Sequence, residues 1–316
     1  MSGALMEKEL NEQPRVLAEN AERYHGDLGA MLGGQAFDMV VLAARGSSDH
    51  AALFARYLIE VRLGIPVVLA APSVLTLHGR HIRYPRSLFI GISQSGAAPD
   101  VSEVIGSARE DGHLTLALTN VASSRLAKAA EHVLLIGAGE ERSVAATKTY
   151  TASILAIYEL VRIFDPALEP PALPTDGWMV ECRAAAEANS AILVQSHPIF
   201  TIGRGYSFAT AEETAIKLME CALIPCKAYS AADFQHGPKA LAGAGSAIVD
   251  FTGLLPAQID QPTTFVTAPS PPKSVTQEVM PLWQVVFGQW LALQCSRARG
   301  LDADNPQFIH KVTSTI

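Results

Sequence analysis

The sequence lacks the features of a protein that binds nucleic acid or inserts into a membrane. Its 24 lysine and arginine residues form no dense block, and the net charge is -7. Binding to nucleic acid or to an anionic membrane rests on clustered cations, so small molecules are the expected partners. The longest apolar stretch, 65–77, is interrupted by Pro66 and Pro72, and it is shorter than the roughly 20 residues of a transmembrane helix.

A secretory signal and metal-binding cysteine motifs are also missing. The N-terminus has no basic flank that leads into an apolar core, so we expect a cytoplasmic protein. The four cysteines, Cys182, Cys221, Cys226 and Cys295, have neither CxxC spacing nor histidines at metal-ligand spacing. They are predicted to be buried, reduced thiols, and we expect neither a metal nor an organic cofactor.

An alternation of strand-like and helix-like segments fills the first half of the chain. Helical periodicity covers 50–62, 100–111 and 147–164. Short runs rich in apolar residues lie at 39–44, 65–71, 87–93, 114–119 and 132–137. These runs do not alternate polar with apolar residues. They therefore predict an α/β fold with a parallel sheet covered by helices on both faces.

The same pattern restarts after a proline-rich segment at 165–177, which is typical of a linker. At an offset of 159 residues, Arg45-Gly46 corresponds to Arg204-Gly205, and Ile65-Pro66 corresponds to Ile224-Pro225. Two copies of one α/β module are therefore predicted. The second copy is shortened, because only GLLPAQIDQP separates two of its strands, too little for a crossover helix.

Two strands of the first module run directly into small polar residues that precede a helix. Ser93, Gln94 and Ser95 follow one strand, and Ser47 and Ser48 follow another. Backbone N–H groups and hydroxyls at such strand ends can bind an anion, so these loops predict a phosphate site. The alternative is that the serines only cap the helices.

Seven motifs resemble one known family, and they occur in that family's order over essentially the whole chain. They closely resemble the isomerase half of glucosamine-6-phosphate synthase (glutamine-fructose-6-phosphate aminotransferase), in the sugar isomerase (SIS) family. The motifs are MEKELNEQP (6–14), ARGSS (44–48), ISQSGAAPD (92–100), SVAATKTYT (143–151), EETAIKLMECALI (212–224), AADFQHGPKAL (231–241) and DADNPQFIHKVT (302–313).

This resemblance implies two tandem SIS modules, each with a flavodoxin-like parallel sheet, in a homodimer with shared active sites. The implied segments are a helical arm (1–28), a first module (29–165), a linker (166–178), a second module (179–300) and a C-terminal tail (301–316). The synthase also has an N-terminal glutaminase domain that supplies ammonia, and this chain begins almost directly at the isomerase arm. We therefore expect it to resemble the family's stand-alone glucosamine-6-phosphate deaminases, deglycases and isomerases.

The resemblance also implies catalytic roles for three residues. Glu220 is the base that moves a proton between C1 and C2, His236 opens the sugar ring, and Lys311 forms a Schiff base with the open-chain ketose. Lys217, one helical turn before Glu220, is expected on the same face of the helix, where it can assist proton transfer or hold the substrate hydroxyls. Without the resemblance, Lys217 and Glu220 could be an exposed helix ion pair, His236 a turn residue, and Lys311 a solvated side chain.

Other positions match or depart from the family's substrate contacts. Glu141 corresponds to an acid near the substrate that could meet its amino group, and Val144 and Thr147 also match. Ala97-Ala98 replaces a Glu-Thr pair in the phosphate loop, and Ala146 replaces a serine near the sugar. The lost hydroxyl puts the affinity for phosphate, or the identity of the substrate, in question.

The leading interpretation is a deaminase that converts glucosamine 6-phosphate to fructose 6-phosphate and ammonia. A phosphosugar isomerase or a fructosamine-6-phosphate deglycase fits the same residues. A non-catalytic phosphosugar sensor is a further alternative, which the presence of all three catalytic candidates argues against. A dinucleotide enzyme is weakly suggested by IGRGYSFA (202–209), but no acidic residue clearly ends the following strand.

Overall fold

The computed structural model describes residues 2–259 and 261–311. Their helices are α1 (Ala4–Asn11), α2 (Gln13–Leu32), α3 (Ser47–Leu63), α4 (Ser73–Thr76), α5 (Pro99–Glu110), α6 (Arg125–Ala129), α7 (Lys148–Phe164), α8 (Asp176–Gln195), α9 (Ser207–Ala222), α10 (Ala231–Gln235) and α11 (Met280–Ala298). Their strands are β1 (Met39–Ala44), β2 (Val67–Leu69), β3 (Ser87–Ile92), β4 (Leu114–Thr119), β5 (His132–Leu135), β6 (Ile199–Gly203), β7 (Cys226–Ser230), β8 (Ala247–Asp250) and β9 (Thr264–Thr267). Short 3-10 helices lie at Pro238–Leu241 and Leu255–Gln258.

The described chain forms two compact units, and each unit is discontinuous in sequence. The first unit contains residues 15–140 and 148–170. The second unit contains residues 2–14, 141–147 and 171–311. The predicted helical arm consists of two helices, α1 and α2, and these fall largely in different units. The segment boundaries implied by the resemblance stay predictions.

The first unit is built on a five-stranded parallel sheet with the strand order β2-β1-β3-β4-β5. The central strand β3 is buried along its whole length, as its mostly apolar sequence predicts. On one face, α5 and α6 pack on a core that includes Val41, Phe89, Ile105 and Leu126. The helices α3 and α7 pack against each other, and α3 also contacts β1, β2 and β3.

The second unit has a four-stranded parallel sheet with the order β7-β6-β8-β9. Helix α9 packs on β6 and β7, and the almost fully buried α11 packs against α8 and α9. Gly288 of α11 lies so close to α9 that a Cβ there would stand 2.1 Å from the Oγ1 of Thr214. Among the described residues between β8 and β9, there is one short 3-10 helix and no crossover helix.

The architecture confirms the predicted α/β fold with two parallel sheets, the second of them shortened. The internal repeat is visible in the backbone, because Gly46 and Gly205 both have φ 56° and both precede the helix that follows the first strand of their sheet. This left-handed conformation favours glycine, which explains why the residue recurs at the offset of 159. Within the described residues, no helix combines the length and the apolar composition needed to cross a bilayer.

Candidate functional site

The residues predicted to form the site divide between the two units. The first unit contains the predicted phosphate ligands Ser47, Ser48, Ser93, Gln94 and Ser95. The second unit contains Glu141, Val144, Lys217, Glu220, His236 and Lys311.

In the first unit, an ion pair connects the two predicted phosphate loops. The Nε and Nη2 atoms of Arg45, which follows β1, each lie 2.7 Å from Oδ2 of Asp100 in the first turn of α5. The Asp100 side chain is 6% exposed. Ser47 and Ser48 form the first turn of α3, directly after Arg45 and Gly46. The ion pair therefore ties the start of α3 to the start of α5 and brings the two loops together.

The serine hydroxyls of the loop after β3 stabilise its turn. Ser93 Oγ accepts the N–H of Gly96 at 3.1 Å, and Ser95 Oγ accepts the N–H of Ala97 at 3.3 Å. The alternative that the serines only cap the helices is not supported, because the N-cap positions of α3 and α5 are Gly46 and Ala98 and neither has a side-chain cap. Both hydroxyls act as acceptors in these bonds, and an accepting hydroxyl can still donate its own proton to an anion.

Gly96 explains why this loop needs a glycine. Its φ is +60°, and a Cβ at this position would lie 2.2 Å from Ser124 Oγ and 2.9 Å from Thr119 Oγ1. The main chain of the loop also pairs with the adjoining segment, since Gln94 O accepts the N–H of Asn120 at 3.0 Å. The loop is therefore held in one conformation by its own backbone and by the β4 end.

In the second unit, α9 carries a buried cluster of three charged residues. Lys217 Nζ lies 2.8 Å from Glu220 Oε2 and 3.4 Å from Glu213 Oε1. The Lys217 and Glu213 side chains are 1% and 0% exposed, whereas the Glu220 side chain is 26% exposed. The alternative of an exposed helix ion pair is therefore wrong.

The electrostatics of this cluster keep Lys217 charged. Burial alone would lower the pKa of Lys217, because a low-dielectric interior disfavours the ammonium ion. The carboxylates of Glu213 and Glu220 outweigh that effect and raise the pKa of Lys217 above the usual lysine range. The fixed positive charge of Lys217 can offset the change in charge at the Glu220 carboxylate during a proton transfer.

A cavity of about 180 Å³ adjoins the partly exposed Glu220. Its lining includes Cys221, Leu223 and residues of the 300–307 segment. The cavity gives a small polar molecule access to the Glu220 end of the cluster, while Lys217 stays buried behind it.

A second charged cluster surrounds Lys311. Its Nζ lies 2.9 Å from Oε2 of the fully buried Glu141 side chain, and it donates to the main-chain oxygen of Ser143 at 2.7 Å. Glu141 Oε1 in turn accepts the N–H of Thr147 at 3.0 Å and the hydroxyl of Thr147 at 3.2 Å. Val144, half-buried, lies in the same segment. Lys311 is therefore held by a buried carboxylate, so the alternative of a solvated lysine is wrong.

His236 belongs to the second unit, but to neither charged cluster. It is exposed, at the C-terminal end of α10, and is followed by Gly237 with φ 155° and Pro238. Its backbone N–H donates to Asp233 O at 3.0 Å. Among the described residues, no hydrogen bond connects the imidazole with Glu220 or Lys311.

The described part of the chain contains no group of three histidine, cysteine or acidic residues that could hold a metal ion. All four cysteines are buried and outside disulfides. Burial raises the pKa of each thiol, so none is prepared to act as a thiolate nucleophile.

The sequence analysis did not identify two acidic residues that contribute to these clusters. Glu213 lies four residues before Lys217, on the same face of α9, and this spacing could have revealed it. Glu9 lies between the buried Met6 and Leu10 on α1 and is itself 4% exposed. A charged residue within an apolar helix face was the available signal.

Comparison with known proteins identifies the family. The model of the SIS domain matches residues 38–162 and 192–253. A glutamine–fructose-6-phosphate aminotransferase of Symbiobacterium thermophilum is 34% identical over 77% of this chain and 44% of its own length. The chain spans about half the length of the curated relatives it matches.

Solved structures share the fold over nearly the whole chain. A "putative phosphosugar isomerase" from Silicibacter pomeroyi is 28% identical with a TM-score of 0.79, and the match covers 96% of this chain and 100% of the other. A glucosamine-6-phosphate deaminase from Thermotoga maritima is 21% identical with a TM-score of 0.81, over 99% and 100% of the two chains. The similarity to the Thermotoga maritima deaminase shows a shared fold only. Because the SIS model matches more than half of the residues, the chain belongs to the sugar isomerase (SIS) domain family.

Proposed function

We propose that this protein is an aminosugar-phosphate deaminase that converts glucosamine 6-phosphate and water to fructose 6-phosphate and ammonia. The observation that carries the proposal is the pair of Lys311 and the buried Glu141. A lysine amine attacks a carbonyl or imine carbon only after losing its proton, and a carboxylate at 2.9 Å is within reach to accept that proton.

The proposed chemistry converts the amino-aldose to the imine of a ketose and then replaces its nitrogen. In the open-chain sugar, Glu220 takes the proton from C2 and returns it to C1, while O1 gains a proton and the C2 amino group loses one, so that the amino-aldose becomes the imine of the ketose. The Lys311 amine adds to C2 of this imine, and ammonia leaves. Water then adds to C2 of the lysine Schiff base and releases fructose 6-phosphate and the free lysine. Lys217 stabilises the negative charge around Glu220.

The loops of the first unit supply the proposed phosphate contacts. Hydroxyl donors, backbone N–H groups at a helix start and a fixed glycine turn are the groups that bind phosphate in proteins. Ser47, Ser48, Ser93 and Ser95, with Gln94, are therefore proposed as the phosphate ligands.

We also infer that the protein acts as a cytoplasmic homodimer. The exposed position of His236 supports this proposal, because a ring-opening histidine must reach the sugar, and an exposed imidazole can be presented to a second copy of the chain.

The direct test measures ammonia release from glucosamine 6-phosphate, with fructose 6-phosphate assayed in the same reaction. Equal amounts of both products are expected. Interconversion of phosphosugars without ammonia would replace the deaminase by an isomerase. Binding of the phosphosugar without any conversion would support a sensor and refute the enzyme.

Changing Ser93 and Ser95 together to alanine is expected to weaken phosphosugar binding by about 10²- to 10⁴-fold. Each hydrogen bond to a charged group contributes about 1.5–3 kcal/mol, and roughly 1.4 kcal/mol corresponds to a factor of ten. Binding of the unphosphorylated sugar should change little. Isothermal titration calorimetry with both ligands measures the difference.

Ser107→Ala is the matched control, because this serine lies on α5 of the same unit and its hydroxyl contacts the exposed His81. Its affinity for both ligands should stay at the wild-type value. If the Ser93 and Ser95 double variant bound the phosphosugar and the unphosphorylated sugar more weakly by the same factor, the phosphate would bind elsewhere.

A further inference from the structure

Helix α1 is fastened at its N-terminus to the segment that leads to Lys311. Asp302 Oδ1 accepts the N–H of Gly3 at 2.9 Å, and the two carboxylate oxygens of Asp304 accept the N–H groups of Leu5 and Met6, each at 2.8 Å. The first N–H groups of a helix have no partner within the helix, so these acidic side chains satisfy them. The start of α1 and the tail before Lys311 are thereby fixed to each other.

The same helix contacts the segment on the other side of the Lys311 amine. Glu9, about one turn after Met6, accepts the N–H of Arg142 at 2.5 Å and the N–H of Ser143 at 3.3 Å. The main-chain oxygen of Ser143 accepts from Lys311 Nζ, and Glu141 precedes Arg142 directly. Glu9 therefore binds the backbone N–H groups of Arg142 and Ser143. These groups adjoin the Glu141 side chain and the Ser143 oxygen that contact Lys311.

Burying this carboxylate is unfavourable in itself. Burial raises the pKa of Glu9, the two backbone N–H groups oppose that rise, and the nearby Glu141 adds to it. An apolar residue would fit the Met6–Leu10 face of α1 without this cost, because both neighbours are fully buried. The hydrogen bonds to the backbone N–H groups of Arg142 and Ser143 offset this cost. They indicate that the Glu9 side chain serves to hold the 141–143 segment.

We propose that Glu9 is a positioning residue for Lys311. Helix α1 fixes the tail through Asp302 and Asp304, and it fixes the 141–143 segment through Glu9. The amino group of Lys311 is placed by both. The proposal rests on the proposed function only in taking Lys311 as the reactive amine. The placement itself can be measured without any substrate.

The test measures the reactivity of Lys311 towards a limiting amount of acetic anhydride at pH 8. Mass spectrometry compares the peptide that contains Lys311 with the one that contains the exposed Lys273, which serves as the internal reference. In Glu9→Gln, the amide can offer only one acceptor oxygen, and its NH₂ group opposes a backbone donor. Release of Lys311 from Glu141 and from the Ser143 oxygen opens access to the amine, so the labelling ratio should rise about fivefold or more. The kcat for phosphosugar turnover should fall about tenfold or more with little change in KM.

Glu7→Gln is the control on the same helix. Glu7 pairs with Arg183 and Arg297 and makes no contact with the 141–143 segment among the described hydrogen bonds. The labelling ratio of this variant should equal that of the wild type. A folded Glu9→Gln protein with a wild-type labelling ratio would overturn the proposal, and so would an equal rise in both variants.

Glu9→Asp covers the case in which Glu9→Gln does not fold. Aspartate keeps the charge and shortens the side chain by one CH₂ group, so an intermediate labelling ratio is expected, and a wild-type ratio would contradict the proposal. The labelling result is independent of turnover. A wild-type protein without deaminase activity would remove the proposed function and leave the positioning of Lys311 to be decided by labelling alone.

Discussion

Replacing Lys311 with alanine is expected to reduce kcat for ammonia release by on the order of 10⁴ or more, while phosphosugar binding stays detectable. A group that forms the covalent intermediate acts together with its proton acceptor, and losses of this size are typical when such a group is removed. The Glu141 carboxylate then has no amine beside it at 2.9 Å. Steady-state kinetics and calorimetric titration measure the two quantities separately.

Borohydride trapping connects this loss to the Schiff base. Reduction in the presence of fructose 6-phosphate should attach the sugar phosphate to Lys311 in the wild-type protein and to no residue in the variant. Lys273→Ala serves as the control, since this lysine is exposed in the same unit. Full activity in Lys311→Ala would eliminate the covalent role of this residue.

Replacing Lys217 with methionine is expected to reduce the free energy of unfolding by about 3–5 kcal/mol. Removing one partner of a buried ion pair leaves the other charge without compensation, and the observed costs are of this size. Glu213 would remain fully buried without its counter-ion. Methionine keeps a similar volume, so the loss reports the charge and not a cavity. The midpoint and slope of urea denaturation give the change.

Lys8→Met is the matched control for charge and size. Lys8 of α1 pairs with Glu12, which directly follows this helix, at 3.8 Å, and the Lys8 side chain is 73% exposed. A surface pair of this kind contributes little, so the free energy of unfolding should stay within about 0.5 kcal/mol of the wild-type value. An equally small effect of Lys217→Met would contradict the view that Lys217 and Glu213 form a buried charged pair.

The strands of the first parallel sheet could be predicted from the sequence because their signals are local. The predicted run at 39–44 coincides with β1, and 114–119 coincides with β4. All five predicted strands lie within two residues of the observed ends. The run at 65–71 is longer than β2 (Val67–Leu69), because its flanking residues are apolar without pairing to β1 beyond Leu42.

The charged clusters could be predicted only in part, since their members are far apart in sequence. Lys217 and Glu220 lie on one helix, so their spacing predicted a pair. That this pair is buried depends on Glu213 and on the packing of α9 against α11, which a helical period does not reveal. Lys311 and Glu141 are 170 positions apart. Only the family resemblance suggested that both belong to a site.

The sequence by itself determined the fold class, the internal repeat with its shortened second copy, and the membership of the SIS family. Apolar runs, glycine turns and short motifs encode these features, and each acts over a few residues. The tertiary structure alone decided that Glu9 and Glu141 are buried around the Lys311 segment and that Lys217 is fully enclosed. The reason is physical: the cost of burying a charge, and the partner that offsets it, depend on which distant segments the folded chain brings together.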